Sequence, residues 1–146
     1  MPSRPAIKII QNRQFLTTTA EKSVFAVAAH MRDNREDVVL VVSPEDGQLL
    51  GICTERDLTY KVLATGLDPK TTPVGRVMTA NPQAIGPDRP FGHALHLMYE
   101  GGFRHLPVIL PDGRPIGVLS SRDALGLEAF HFYKELDQRE VLTEIL

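Results

Sequence analysis

With 146 residues, the chain has room for one compact domain or for two small ones packed together. Hydrophobic residues make up 42% and charged residues 23%, no apolar run nears the roughly 20 residues of a bilayer span, and Met1-Pro2-Ser3-Arg4-Pro5 lacks the apolar stretch of a secretory leader, so a cytoplasmic location off the membrane is expected. The net charge of −2 leaves no general basic field, which argues against nucleic acid as a partner and leaves anion binding to a local cluster of cations.

Thr17-Thr18-Thr19 reads as a short extended piece. A helix follows over about 21–33, with Val24, Val27, Ala28 and Met31 on one face of a 3.6-residue period. Val38-Val39-Leu40-Val41-Val42 and the run from Leu49 to Cys53 flank Asp46-Gly47. That order predicts a β-hairpin, because glycine accepts the positive φ of the turn. Cys53 has no activating base near it in sequence and is read as a buried structural thiol. A second helix is predicted from Glu55 to Gly66, its C-cap, and Asp68-Pro69-Lys70-Thr71-Thr72-Pro73 forms a linker.

The pattern then starts again. Gln83-Ala84-Ile85 is a second extended piece, and a helix is predicted over about 88–100, with Asp88 as N-cap and Pro90 in its first turn. The runs Leu106 to Leu110 and Ile116 to Leu119 flank Asp112-Gly113. A last, longer helix is predicted from Ser121, and its apolar residues wrap more than one face, which leaves room for a break within 121–146. Gly51-Ile52-Cys53-Thr54-Glu55-Arg56-Asp57 returns as Gly117-Val118-Leu119-Ser120-Ser121-Arg122-Asp123 at an offset of 66 residues, and the preceding helix returns at 67. The expected architecture is therefore α+β: two βαββα repeats, 5–66 and 72–130, followed by a C-terminal helical extension, 131–146. A unit of about 60 residues is marginal alone, and packing two together solves that problem.

The element order, the repeat length and the segment Gly-apolar-x-(Thr/Ser)-x-x-Asp resemble the CBS domain, named after cystathionine β-synthase. Phe103-Arg104-His105-Leu106-Pro107-Val108-Ile109 is similar to that family's Leu-Pro-Val strand, and Val77-Met78-Thr79 to the opening of a repeat. The likeness covers about 5–130. The first copy departs from it: Val38 to Val42 has neither the Arg-His pair nor the proline, and Ala6-Ile7-Lys8-Ile9-Ile10 is a degenerate opening. The resemblance implies a stand-alone, bacterial-type Bateman module: two repeats packed with pseudo-two-fold symmetry, forming clefts that take AMP, ADP, ATP, S-adenosylmethionine or NAD, with no cofactor required. It also implies a homodimer that acts in trans on an unidentified regulated protein.

By that resemblance Thr54 and Ser120 donate to a ligand phosphate, and Asp57 and Asp123 accept from both hydroxyls of a ribose. A hydroxyl followed three residues later by an acid is also a helix capping box. Both readings stand for both copies. Arg104 and His105, beside Pro107, are expected at the phosphate, since the planar guanidinium binds two oxygens at once. Arg122 adds positive charge inside its motif, and Thr17, Thr18, Ala84 and Ile85 line the adenine slot. His93 and His96 share a helix face, but no third ligand is evident, so no metal is expected. No Walker or Rossmann glycine fingerprint and no G-x-S-x-G elbow is present, and the paired Asp57 and Asp123 suit two binding clefts better than one acid–base couple. The chain is expected to be a ligand sensor and not an enzyme. The alternative is a dimerisation module with vestigial clefts.

Overall fold

In the computed structural model, residues 3–126 are described, together with 136 and 138. The proposed extension 131–146 lies outside the described residues apart from those two positions, and the apolar residues Leu127, Phe130, Phe132, Tyr133, Val141, Leu142, Ile145 and Leu146 lie outside them as well.

The run Val38–Val42 (β2) is buried along its first four residues, because it is covered on both faces. It pairs in parallel with Thr17–Thr18 (β1) and antiparallel with Leu49–Thr54 (β3). Thr79–Ala80 (β4) adds antiparallel to β3, so the first sheet runs β1-β2-β3-β4. The second sheet repeats the plan. His105–Ile109 (β5) pairs with Pro115–Ser120 (β6), and Ile85 makes a single parallel bridge to Val108 where β1 lies beside β2 in the first copy. The helix before each hairpin is Val24–Asn34 (α2) or Phe91–Gly101 (α5). The helix after the hairpin starts at Glu55–Asp57 (α3) in the first copy and spans 122–126 of the second. These are two βαββα repeats related by pseudo-two-fold symmetry.

Three local expectations shift. The first helix starts at Val24, with the Ser23 side chain accepting from Ala26 N at 3.1 Å. Asp88 does not cap α5. Pro90 holds the N-cap position with an extended backbone (ψ 144°), and the helix starts one residue later. The helix after β3 widens: Leu58–Leu63 is π-helical, with Ala64 N donating to Thr59 O, and the run ends at Gly66 with φ 73° as its C-cap chemistry requires.

Each copy is completed by the other. Ala6–Ile10 (α1) opens the first repeat but packs into the second core, among Ile85, Phe91, Leu106, Val108 and Leu119. Val74–Val77 (α4) opens the second repeat but packs into the first core, among Val24, Val27, Val39, Val41 and Cys53. Backbone bonds repeat the exchange: Ala6 N to Arg89 O at 2.8 Å and Phe91 N to Arg4 O at 2.7 Å on one side, Gly75 N to Ala20 O at 2.9 Å and Val24 N to Thr72 O at 2.9 Å on the other. Gly117 and Gly51 make this approach possible. A Cβ on Gly117 would come within 2.7 Å of Ile10 Cδ1, and one on Gly51 would overlap Met78. A smaller seam of Val38, Leu40 and Ile52 with Phe15, Leu49 and Val118 joins the halves. The two turns also meet, Leu49 N donating to Gly113 O at 2.9 Å. Among the described residues no helix is long and apolar enough to cross a membrane.

Cys53 is fully buried in the first core, and burial pushes its thiol up to about 12 from 9.0. The unfolded chain ionises first, so stability falls as pH rises from 9.0 toward 12. At pH 8 the folded protein is expected to leave a thiol-specific disulfide reagent unreacted until denaturant is added. Prompt reaction of the native protein would contradict this.

Candidate functional site

Both (Thr/Ser)-x-x-Asp segments form helix caps. Thr54 N donates to Asp57 Oδ2 at 2.9 Å, and Ser120 N donates to Asp123 Oδ2 at 2.8 Å. The strand before each motif is fixed the same way: Glu55 N donates to Asp37 O, and Ser121 N to Arg104 O, both at 3.0 Å. The capping chemistry is therefore present in both copies. What differs is the cation that faces each acid.

Asp57 takes Lys61, four residues along its own helix, at 3.0 Å, and the same ammonium donates to Val77 O at 3.0 Å. Asp123 takes a residue from the other repeat. Arg13, in the connection between α1 and β1, reaches it with two bonds, 2.6 and 3.0 Å, and donates to Val118 O at 3.1 Å. The hydrogen bond to Asp123, above all, raises the Arg13 guanidinium above its ordinary value. A second cross-repeat pairing stands beside it. Asp37 accepts from His105 Nε2 at 3.2 Å and pairs with Arg122.

These groups line a cavity of about 470 Å³ at the seam of the two repeats. The first repeat contributes Arg13, Gln14, Phe15, Leu16, Glu36 and Asp37. The second contributes His105, Gly117, Ser120, Arg122 and Asp123. Polar groups thus line the cavity together with Phe15, an arrangement suited to a ligand with an apolar ring and a polar tail.

Of the twelve candidate residues, His105, Ser120, Arg122 and Asp123 come together here. Thr54 and Asp57 lie in the other repeat's cap. Arg104 is exposed and does not line this cavity, and Pro107 is buried, with its carbonyl accepting from Ile85 N at 3.0 Å. Ile85 is core, Ala84 is half-buried, and Thr18 pairs with Val41. Thr17 lines a second, shallower hollow of about 310 Å³ near Arg114, with Phe15 in the walls of both. The residues lining the larger cavity ahead of β1 are Ile10 and Arg13 to Leu16, not Thr17 and Thr18.

Arg13, Phe15 and Asp37 escaped sequence reasoning. A signal existed in the repeat offset of 67, which sets Arg13 against Ala80 and Asp37 against Arg104. Positions where two repeats differ in charge are where their clefts differ. His96 pairs with Glu100 at 3.3 Å on an exposed face, and among the described residues no three His, Cys, Asp or Glu side chains cluster to hold a metal.

Comparison with known proteins follows the same lines. The family profile described as CBS domain matches residues 8–64 and again 74–129. CBS domain-containing protein CBSCBSPB2 of Arabidopsis thaliana is 34% identical over 118 residues, which is 80% of this chain and 22% of that one. The chain spans about a fifth of the length of CBSCBSPB2 and of its plant relatives CBSCBSPB4 and CBSCBSPB5. Among solved structures, a putative signal-transduction protein with CBS domains from Burkholderia ambifaria superposes with a TM-score of 0.76 at 29% identity, covering 84% of this chain and 91% of that one. The CBS domain protein PAE2072 from Pyrobaculum aerophilum, solved complexed with AMP, superposes with a TM-score of 0.76 at 21% identity, covering 82% and 89%.

Proposed function

The chain belongs to the CBS domain family as a tandem pair, a regulatory module, and on that premise we propose that it senses an adenosine nucleotide bound between its repeats and acts on a partner protein in trans. The observation that carries this reading is the seam cavity, where Ser120, Asp123, Arg122 and His105 of one repeat face Arg13 and Asp37 of the other. A carboxylate at Asp123 suits a ribose diol, the guanidinium groups suit a phosphate, and Phe15 offers an apolar wall for a base. A protein of the same fold is solved with AMP. The repeats 5–66 and 72–130 are the two moving parts of this proposal, since a ligand touching both biases their relative orientation. The remaining candidates, Thr17, Thr18, Thr54, Asp57, Ala84, Ile85, Arg104 and Pro107, belong to it as a second, weaker site around the Asp57 cap and as the strands behind the clefts.

Exposed Phe25, Leu63 and Tyr99, on three helical segments, favour the alternative of a dimerising interaction module. Thermal-shift and calorimetric titrations with AMP, ATP, NAD and S-adenosylmethionine separate the two. One of the four is expected to stabilise the protein by about 2.7 kcal/mol at a hundredfold excess over its dissociation constant, a rise of roughly 5 °C or more. No stabilisation by any of them would leave the interaction module as the reading.

A further inference from the structure

The two guanidinium groups that line the seam cavity are both committed. Arg13 holds Asp123 with two bonds, and Arg122 pairs with Asp37. Glu36 also lines the cavity, so its carboxylates outnumber its guanidinium groups three to two, with His105 already engaged by Asp37. Arg104 does not line this cavity. A ligand that enters must therefore exchange partners with existing pairs and does not find a free cationic pocket.

The exchange has a definite stoichiometry. A ribose diol offers two donors to the carboxylate that Arg13 now occupies with two donors. Once displaced, Arg13 lies beside the diol's carboxylate and needs an anion, and one phosphate supplies it. A nucleoside monophosphate replaces both halves of the Arg13–Asp123 pair and leaves neither charge unpaired. Adenosine satisfies Asp123 but strands Arg13. A triphosphate brings further negative charge toward Glu36 and Asp37, where the remaining guanidinium, Arg122, already has a carboxylate partner.

We infer that this cavity discriminates among adenosine nucleotides by phosphate number, preferring one phosphate to three, and that Arg13 is the residue that sets the preference. The inference rests on the nucleotide-sensing reading above and adds to it the charge class of the ligand. Arg13 acts here as an internal placeholder: its side chain is 41% exposed against 11% for Asp123, so it is the partner that gives way, turning off the carboxylate but staying at the cavity wall where the phosphate meets it, while Asp123 stays in place.

Calorimetry of adenosine, AMP, ADP and ATP, at one ionic strength and without divalent metal, tests the full chain against Arg13→Gln and Arg13→Lys. In the unmodified protein AMP is expected to bind about tenfold more tightly than ATP, with ADP between them and adenosine weaker than AMP. Arg13→Gln should weaken AMP by about tenfold and tighten adenosine, because Asp123 no longer has to be freed. Arg13→Lys, which keeps the charge, should keep AMP ahead of ATP. ATP binding as tightly as AMP to the unmodified protein overturns the inference while leaving the sensing reading intact. So does an equal loss of adenosine and AMP in Arg13→Gln, the signature of a structural role. Binding of none of the four overturns this inference, and the sensing reading falls with it only where NAD and S-adenosylmethionine also fail to bind.

Discussion

Asp123→Ala is expected to weaken adenosine-nucleotide binding by more than about a hundredfold while costing the fold about 1 kcal/mol. Two charge-assisted bonds from a ribose diol to one carboxylate are lost together, and each is worth about 1.5–3 kcal/mol when its partner is left behind in a cavity. The stability cost is smaller because the side chain's other duties are one cap bond, from Ser120 N at 2.8 Å, and the pair with Arg13, whose guanidinium is partly exposed and so adds little. Asp57→Ala removes the matching cap bond from Thr54 N and should cost a similar amount of stability, yet it should leave the tighter site unchanged, since Asp57 faces Lys61 and does not line the seam cavity. Calorimetry and melting of both variants, and of Asp123→Ala combined with Ser120→Ala, separate capping from ligand binding. A double variant that binds every nucleotide as the unmodified protein does would move the ligand out of this cavity.

Val74→Asp should destabilise the protein by more than about 3 kcal/mol, and the damage should appear in the first sheet although the residue opens the second repeat. Val74 is 0% exposed and packs among the apolar side chains of Val24, Val27, Val39 and Val41. The new acid must either ionise without a partner or hold its proton, and both are costly. Hydrogen exchange reads the location: amides of β2 and β3 should lose protection before those of β5 and β6. Loss confined to the second sheet would mean that the repeats are covered by their own openings and not by each other's.

Much of the framework was legible because it is local and repeated. The Asp-Gly turns carry their own geometry: Asp46 and Asp112 each accept from the backbone amide two residues on, and Gly47 and Gly113 have φ of 72° and 90°. Gly66 announced a helix end for the same kind of reason. The exchanged openings were not legible, since the apolar pattern of Ala6 to Ile10 shows that a face is buried and not which repeat buries it. The start of α5 differs from the expected one because Asp88 and Pro90 are competing signals two residues apart, and the extended backbone at Pro90 wins. The weaker half of the site reading has the same origin. Ser120-x-x-Asp123 is contiguous, but the Arg13 that meets Asp123 is 110 residues away, and nothing in the local pattern at Arg13 distinguishes it from a solvated surface residue.

The crossed openings also set a schedule for synthesis. A nascent chain that has emerged as far as its first hairpin carries β1, β2 and β3 but neither β4 nor Val74 and Val77, which close the core over them. Those strands, β2 above all, wait as bare apolar surface while a ribosome at about 5–20 residues per second adds the linker and α4. Ala6 and Ile10, among the first residues made, wait longer still, because their partners Phe91, Leu106 and Leu119 come near the other end. Neither repeat is thus a foldable half-product. The order of contacts ties the start of the chain to its last strands, which favours a single late, cooperative folding event, and makes the interval before it the point at which chaperones have most to protect.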